Sequence, residues 1–400
     1  MGKKSDSEKI QFYQSAPESL QSRAGLHDPS DWFREMRNSA PVQYDERRNV
    51  YDVFSYQHVK EGLQNGEGLA RKSLSQDGPR SSTPFSYIDN AIVWMDGSDH
   101  KQTKGPFFQY FRPDRLSESR DMIRQIAEDQ IRLALEDGPE FDFVSDYATP
   151  VPLRVIMSMV GVPQSEQERV LDWLLTFRDV TYSEFSGFDS ERPAQMAEAV
   201  EYFEQLVARR RRDPRDDLIS QLIEDTELTH ETIGANCFNF ILAGQGTLTA
   251  LLSNALYLFE ERGLLGQLHR YDLEVVLEEV LRYRAPLQSR ARTTTQPITI
   301  GGTKIPEGKT VILWIGSANR DAEQFERPES FLPRRDPDHL SFGNGPHTCI
   351  GAPLARLEAP VALQTFFDRF DRIDVLDSHQ PTAKPSELGF ERLPIATDPV

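Results

Sequence analysis

Cysteine is nearly absent from this 400-residue chain, which has only Cys237 and Cys349. They lie far apart with no CxxC or Cys/His spacing, which argues against a disulfide framework or a structural zinc site and for a reducing, cytoplasmic setting. The first twenty residues hold no apolar run, so neither a signal peptide nor a membrane anchor is expected. Asp6 stands where a myristoylation motif needs Ser or Thr. No repeat of solenoid length is present, and no linker is long enough to separate autonomous domains. One unit over residues 1–400 is expected, with about the first thirty residues as an N-terminal extension.

Basic charge is also in short supply: 63 acidic residues face 45 basic ones, a net charge of -18. That balance repels nucleic acid and anionic membranes unless cations cluster. The one dense cluster, Arg209 to Arg212, precedes Pro214 where a helical pattern ends, so it reads as cations at a helix C-terminus rather than a nucleic-acid patch.

What is present is mostly helical. Amphipathic pattern dominates residues 115–285, after a strand pair in "PVQYDERRNVYDVF" and before further strands in "ITIGGTKIPEGKTVILWIG" and the last residues. The fold class is therefore mainly α with a smaller β portion (α+β). Residues 231–263 are apolar on nearly all sides and predict a buried helix that crosses the molecule, roughly 45 Å long. Asn236, Asn239, Gln245 and Asn254 argue against a membrane span. Its centre, "AGQGT", contains two glycines, each costing about 1 kcal/mol of helix stability relative to alanine. Either helices pack closely there, or something else approaches the backbone and distorts the helix.

The second cysteine sits in "HLSFGNGPHTCIGAPLAR", after Gly343 and Gly345 and before Gly351, at the start of an amphipathic helix. A helix N-terminus favours thiolate over thiol. Three readings are open: a nucleophile with His347 as base, a haem ligand, or an inert buried cysteine. No Asn or Asp obviously orients His347 as a base, which weakens the first, a cysteine hydrolase.

Residues 342–351, "FGNGPHTCIG", resemble the cysteine-ligand loop of the cytochrome P450 family at every fixed position of that signature. Four further segments fall in the family's order, so the resemblance covers nearly the whole chain from about residue 30. "EEVLRY" supplies a Glu-x-x-Arg pair, Glu279 and Arg282, and "ANRDAEQFERPESFLPRR" resembles the family's meander, with Arg335 joining that pair. "RARTTTQPITIGG" puts a propionate-binding arginine at Arg292, with Arg290 in reserve. "AGQGT" resembles the oxygen-binding groove of the central helix, which implies that the helix opens there for dioxygen.

The resemblance implies a P450 fold, haem b held by Cys349, and Phe342 and Gly351 framing the ligand loop. His347 and His100 match propionate-binding positions, but Lys104 stands where the family has an arginine, so a bidentate fork is replaced by a point charge. His27, His58, His230, His269 and His339 have no metal-like spacing and read as surface or loop residues.

The implied activity is monooxygenation of a hydrophobic small molecule. Electrons are expected from separate proteins, a ferredoxin and its reductase, since no reductase is fused. In the groove of Gly244, Gln245, Gly246 and Thr247, the alcohol is Thr247 but the expected acid is Gly246. A water or the substrate would then relay protons. The alternatives are a peroxide-dependent haem enzyme, or a haem-thiolate isomerase, dehydratase or sensor. Substrate contacts are expected from Phe85, Tyr87, Ile88, Ala243, Leu287, Gln288 and Phe390.

Overall fold

The structure, a computed structural model, describes Leu20 and residues 22–71, 90–181 and 193–399. Phe85, Tyr87, Ile88 and most of the N-terminal extension lie outside the described residues.

The alternating segments become two main sheets. Val42–Asp45 pairs antiparallel with Val50–Val53, and Asn49 in the turn between them has φ 54°. Val50–Val53 runs parallel to Thr310–Leu313, which is followed by Arg290–Thr294 and then Leu69–Ala70 in one five-stranded sheet. Val311, Ile312 and Leu313 are buried, so this strand is held on both faces and fixes Arg290 and Arg292 in register opposite Leu313 and Val311. A second, antiparallel sheet joins Glu140–Asp142, Pro394–Pro399 and Phe370–Val375. The hairpin Ile298–Ile300 with Thr303–Ile305 turns on Gly301 and Gly302, both at positive φ.

The central helix spans His230–Glu261, 32 residues or about 48 Å, and Thr229 caps it by accepting the Thr232 N–H at 3.1 Å. Its apolar residues divide between two cores. Ile233, Cys237, Phe238, Ile241 and Leu242 pack into one, and Leu248 through Phe259 supply the other. "AGQGT" falls at the change-over, so the glycines lie where neither core needs a large side chain. Three buried polar residues of this helix bond neighbouring elements. Asn236 accepts the Ile92 N–H at 2.8 Å, Thr249 donates to the Ala148 carbonyl, and Asn254 donates to the Leu388 carbonyl at 2.9 Å.

The arginine run ends the helix Pro193–Arg212 and is partly consumed within the fold. Arg209 makes a two-pronged pair with Glu166 at 2.7 and 2.8 Å, and buried Arg210 bonds Asp217 and the Gly161 carbonyl. Two histidines depart from the surface reading. His339 has a side chain only 3% exposed and pairs with Glu278 at 3.1 Å, while His27 packs edge-on against Tyr257 and Phe390. Both partners lie far away in sequence, so local pattern carried no sign of them.

Candidate active site

The cysteine loop is shaped by its glycines. Gly343 and Gly345 have φ 73° and 75°, and a Cβ on Gly345 would meet the Leu63 carbonyl oxygen at 2.7 Å. The turn closes as Cys349 N–H donates to the Phe342 carbonyl at 2.8 Å, and the helix Ala352–Phe367 follows directly. The Ala352 N–H donates to the Cys349 carbonyl at 3.5 Å, and the Gly351 and Ala352 N–H groups near the sulfur favour its thiolate. Even so, burial raises the Cys349 thiol above its ordinary range, against the pull of those N–H groups, Arg290 and Lys104. The residue itself opens onto the cavity below, so this burial is by surrounding protein and not by direct packing on the sulfur.

Cys349 lines a cavity of about 280 Å³ together with Phe342, Gly351, Ala243, Gly244, Thr247, Leu248 and Leu287. A Cβ on Gly244 would touch only Ile156 Cγ2, at 3.9 Å, so close helix packing does not explain that glycine. The central helix is continuous through "AGQGT". The expected opening is therefore not a break in it; instead the Thr247 hydroxyl donates to the Ala243 carbonyl at 3.1 Å. Gln245 and Gly246 face elsewhere, onto a cavity of about 30 Å³ with mixed polar and apolar lining, and Thr247 lines both spaces.

One part of the large cavity is cationic. Arg71, Arg290, Arg292, His100, Lys104 and His347 all line it. The His100 and His347 rings lie 4.4 Å apart, and His347 Nε2 meets Asp96 Oδ1 at 2.9 Å. Burial, His347 and Lys104 lower His100 to about 4, so it is neutral near pH 7. Lys104 Nζ donates to the Pro346 and Thr348 carbonyls at 2.6 and 3.0 Å, so this cation braces the cysteine loop from outside.

Behind the loop, Arg282 makes two bonds to Glu279, at 2.6 and 2.7 Å, with both side chains fully buried. The remaining Arg282 donors reach the carbonyls of Asn319, Pro328 and Ser330, and Arg335 Nε reaches Glu279 at 3.3 Å. The structure thus brings this trio together and satisfies it.

Two substrate expectations are corrected. Gln288 is buried away from the large cavity with its amide on the Ala285 carbonyl, because the neighbour Leu287 takes the cavity side. Phe390 does not line the large cavity: it is 3% exposed in the second core, packs on Tyr257 at 4.9 Å and reaches only the small cavity. Sequence reasoning missed Arg71, Asp96 and Glu358. Glu358 lines the large cavity, and its full burial pushes the carboxyl well above the usual range. None of the three belongs to a recognisable local pattern, although Glu358 lies on the helix that begins at the cysteine loop.

The comparisons agree with this geometry. A family model described as "Cytochrome P450" matches residues 272–396. The putative cytochrome P450 YjiB of Bacillus subtilis is 33% identical over 360 residues, 87% of this chain and 89% of its own. Among solved structures, CYP109E1 from Bacillus megaterium in complex with testosterone has a TM-score of 0.82 at 32% identity, covering 92% of this chain and 99% of that one. P450BioI in complex with hexadec-9Z-enoic acid ligated acyl carrier protein has a TM-score of 0.85 at 26% identity, covering 94% and 99%.

A long helix over a cavity that a cysteine loop closes defines the class as a haem-thiolate fold. This chain belongs to the cytochrome P450 family, whose members are haem b monooxygenases that take electrons from redox partners. Its residues fit haem b: a thiol with N–H donors around the sulfur, apolar walls, an uncrowded glycine on the central helix and cations for two carboxylates.

Proposed function

We propose that this enzyme inserts one oxygen atom of O2 into a hydrophobic small molecule, with electrons passed from NADH through a separate reductase and ferredoxin. The observation that carries the reading is the shared cavity, in which Cys349 and Thr247 line one mainly apolar space. Haem b bound there supplies an iron that activates dioxygen.

The chain's own residues do the rest. Cys349 Sγ would ligate the haem iron, with the Gly351 and Ala352 N–H groups nearby favouring its thiolate. Arg292, with Arg290 and Arg71, faces one carboxylate region and His100 lines it too, while His347 spends its Nε2–H on Asp96 and closes that wall. Lys104 fixes the loop. Glu279, Arg282 and Arg335 hold the segment behind it. Ala243, Gly244 and Leu287 supply apolar wall for substrate. Thr247 moves the proton: its own hydrogen rests on the Ala243 carbonyl, which leaves the oxygen's lone pairs to accept from a water.

The reading is tested by reducing the purified protein under carbon monoxide. The thiolate-ligated carbonyl band is expected, and Cys349→Ser removes it; a band unaltered by that change overturns the assignment. Testosterone and hexadec-9Z-enoic acid are suitable first probes for a ferric Soret shift, since solved relatives hold them. The missing carboxylate at Gly246 favours a second reading, peroxide-driven turnover. Product formed with NADH and the two electron carriers supports the first, and product formed only with hydrogen peroxide supports the second.

A further inference from the structure

The small cavity lies beside the position where the central helix lacks its acid. Gln245, Thr247, Thr149, Thr249, Thr382 and Glu387 line it beside apolar wall from Ala250, Leu287, Leu388 and Phe390, and at about 30 Å³ it has room for about two waters. Gln245 is 2% exposed and its Nε2 has no hydrogen-bond partner among the described residues, so a water there meets a buried amide that otherwise lacks one. Gly246 lines this cavity and contributes no side chain to it.

Glu387 is held in place by its backbone. The Gln288 N–H donates to the Ser386 carbonyl at 2.8 Å and the Leu388 N–H to the Pro286 carbonyl at 2.9 Å, with Glu387 bridged to Leu287 between them. Asn254 of the central helix bonds the Leu388 carbonyl, and Gly389 approaches so closely that a Cβ would meet Ala250 Cβ at 2.9 Å. The loop therefore cannot slide along the helix, and it fixes Glu387 against the turn that bears Thr247. The Glu387 side chain is 16% exposed, with Lys384 Nζ at 3.9 Å, so it reaches solvent as well as the cavity. Glu358, the other acid near Thr247, is fully buried and has no such access.

We propose that Glu387, from the C-terminal loop, is the acid that feeds protons to Thr247 through ordered waters in the small cavity, in place of the carboxylate the central helix lacks. This rests on the monooxygenase reading above. One proton leaves the Glu387 carboxyl for the first water, which passes one of its own onward. The last water gives a proton to Thr247 Oγ1, whose original hydrogen leaves the Ala243 carbonyl for dioxygen that the redox partners' electrons reduce in the large cavity. Every intervening oxygen ends with the hydrogens it began with, and the Glu387 carboxylate is reprotonated from solvent.

The test compares wild type, Glu387→Gln, Glu387→Asp and Glu387→Gln with Gly246→Asp, all haem-loaded. In Glu387→Gln, product per NADH falls about tenfold or more while NADH oxidation continues and peroxide is released. The Soret shift with substrate stays as in wild type, because Glu387 does not line the large cavity. Glu387→Asp retains most of the coupling, and the added Gly246→Asp restores it. Peroxide-driven product is spared, since peroxide arrives with its protons; a merely structural role would lower both. A high-resolution crystal structure of the wild-type holoenzyme shows ordered water joining Glu387 to Thr247.

Unchanged product per NADH in Glu387→Gln, an equal fall in both assays, or a dry cavity overturns the relay while NADH-driven turnover of the wild type leaves monooxygenation standing. A wild type that makes product only with peroxide overturns the monooxygenase reading and the relay with it.

Discussion

Lys104 donates to the Pro346 carbonyl at 2.6 Å, and this bond ties the helix Gly97–Tyr110 to the loop that presents Cys349. A second bond, to the Thr348 carbonyl, brackets His347 between the two accepting residues. Lys104→Met keeps the apolar stem and removes both bonds. The ammonium is only partly buried, so the expected loss is about 1 kcal/mol, with looser haem retention as the clearer sign. The measurement is haem transfer to an acceptor protein, which should be faster from Lys104→Met. Lys104→Arg should not restore the wild-type rate, because a planar fork does not match two carbonyls spaced for an ammonium.

Glu279→Gln leaves Arg282 as a fully buried cation without its carboxylate. The expected destabilisation is about 3–5 kcal/mol, because the desolvated charge stays behind. Glu279→Leu combined with Arg282→Leu should cost less than the two single changes added together. Urea midpoints of the holoprotein check both statements, and a loss under about 1 kcal/mol for Glu279→Gln would mean the pair contributes no more than a surface bridge.

The contrast between these two sites shows what the sequence could convey. The Glu-x-x-Arg pair and the glycine-flanked cysteine were readable through their resemblance to family motifs, which are compact because their partners lie within one helical turn or one loop. Arg71 follows a two-residue strand and enters the cavity through sheet pairing with residues 293 and 294, which no local pattern announces. Leu287 and Gln288 were assigned together by region, yet side chains alternate along an extended segment and only Leu287 faces the cavity. Phe390 was misread for a similar reason: its neighbours His27 and Tyr257 come from distant parts of the chain.

Glu278 gives a pH dependence with a defined sign. Burial pushes its carboxyl up, but bonds from His339 and Arg356 outweigh that and lower it to about 2. A carboxylate depressed in the folded state contributes stability above its unfolded value, about 4.3, and that contribution is lost as pH falls from there toward 2. At neutral pH it amounts to about 2–3 kcal/mol. Urea denaturation between pH 6 and pH 3 should show a steeper loss for wild type than for Glu278→Gln. Parallel curves would show that this carboxylate is not what makes the fold acid-sensitive.

Gly244 separates the two explanations for glycine in the central helix. Since a Cβ there meets only Ile156 Cγ2 at 3.9 Å, Gly244→Ala should fold, retain haem and gain up to about 1 kcal/mol of helix stability. Gly244→Leu carries the same backbone benefit but projects a large side chain into the cavity shared with Cys349. Overpacking of about 1–3 kcal/mol then falls on the ligand, so the Soret titration of a steroid or fatty acid that binds wild type should weaken about tenfold or more. Wild-type affinity in Gly244→Leu would place bound ligand away from this turn and remove Ala243 and Gly244 from the substrate wall.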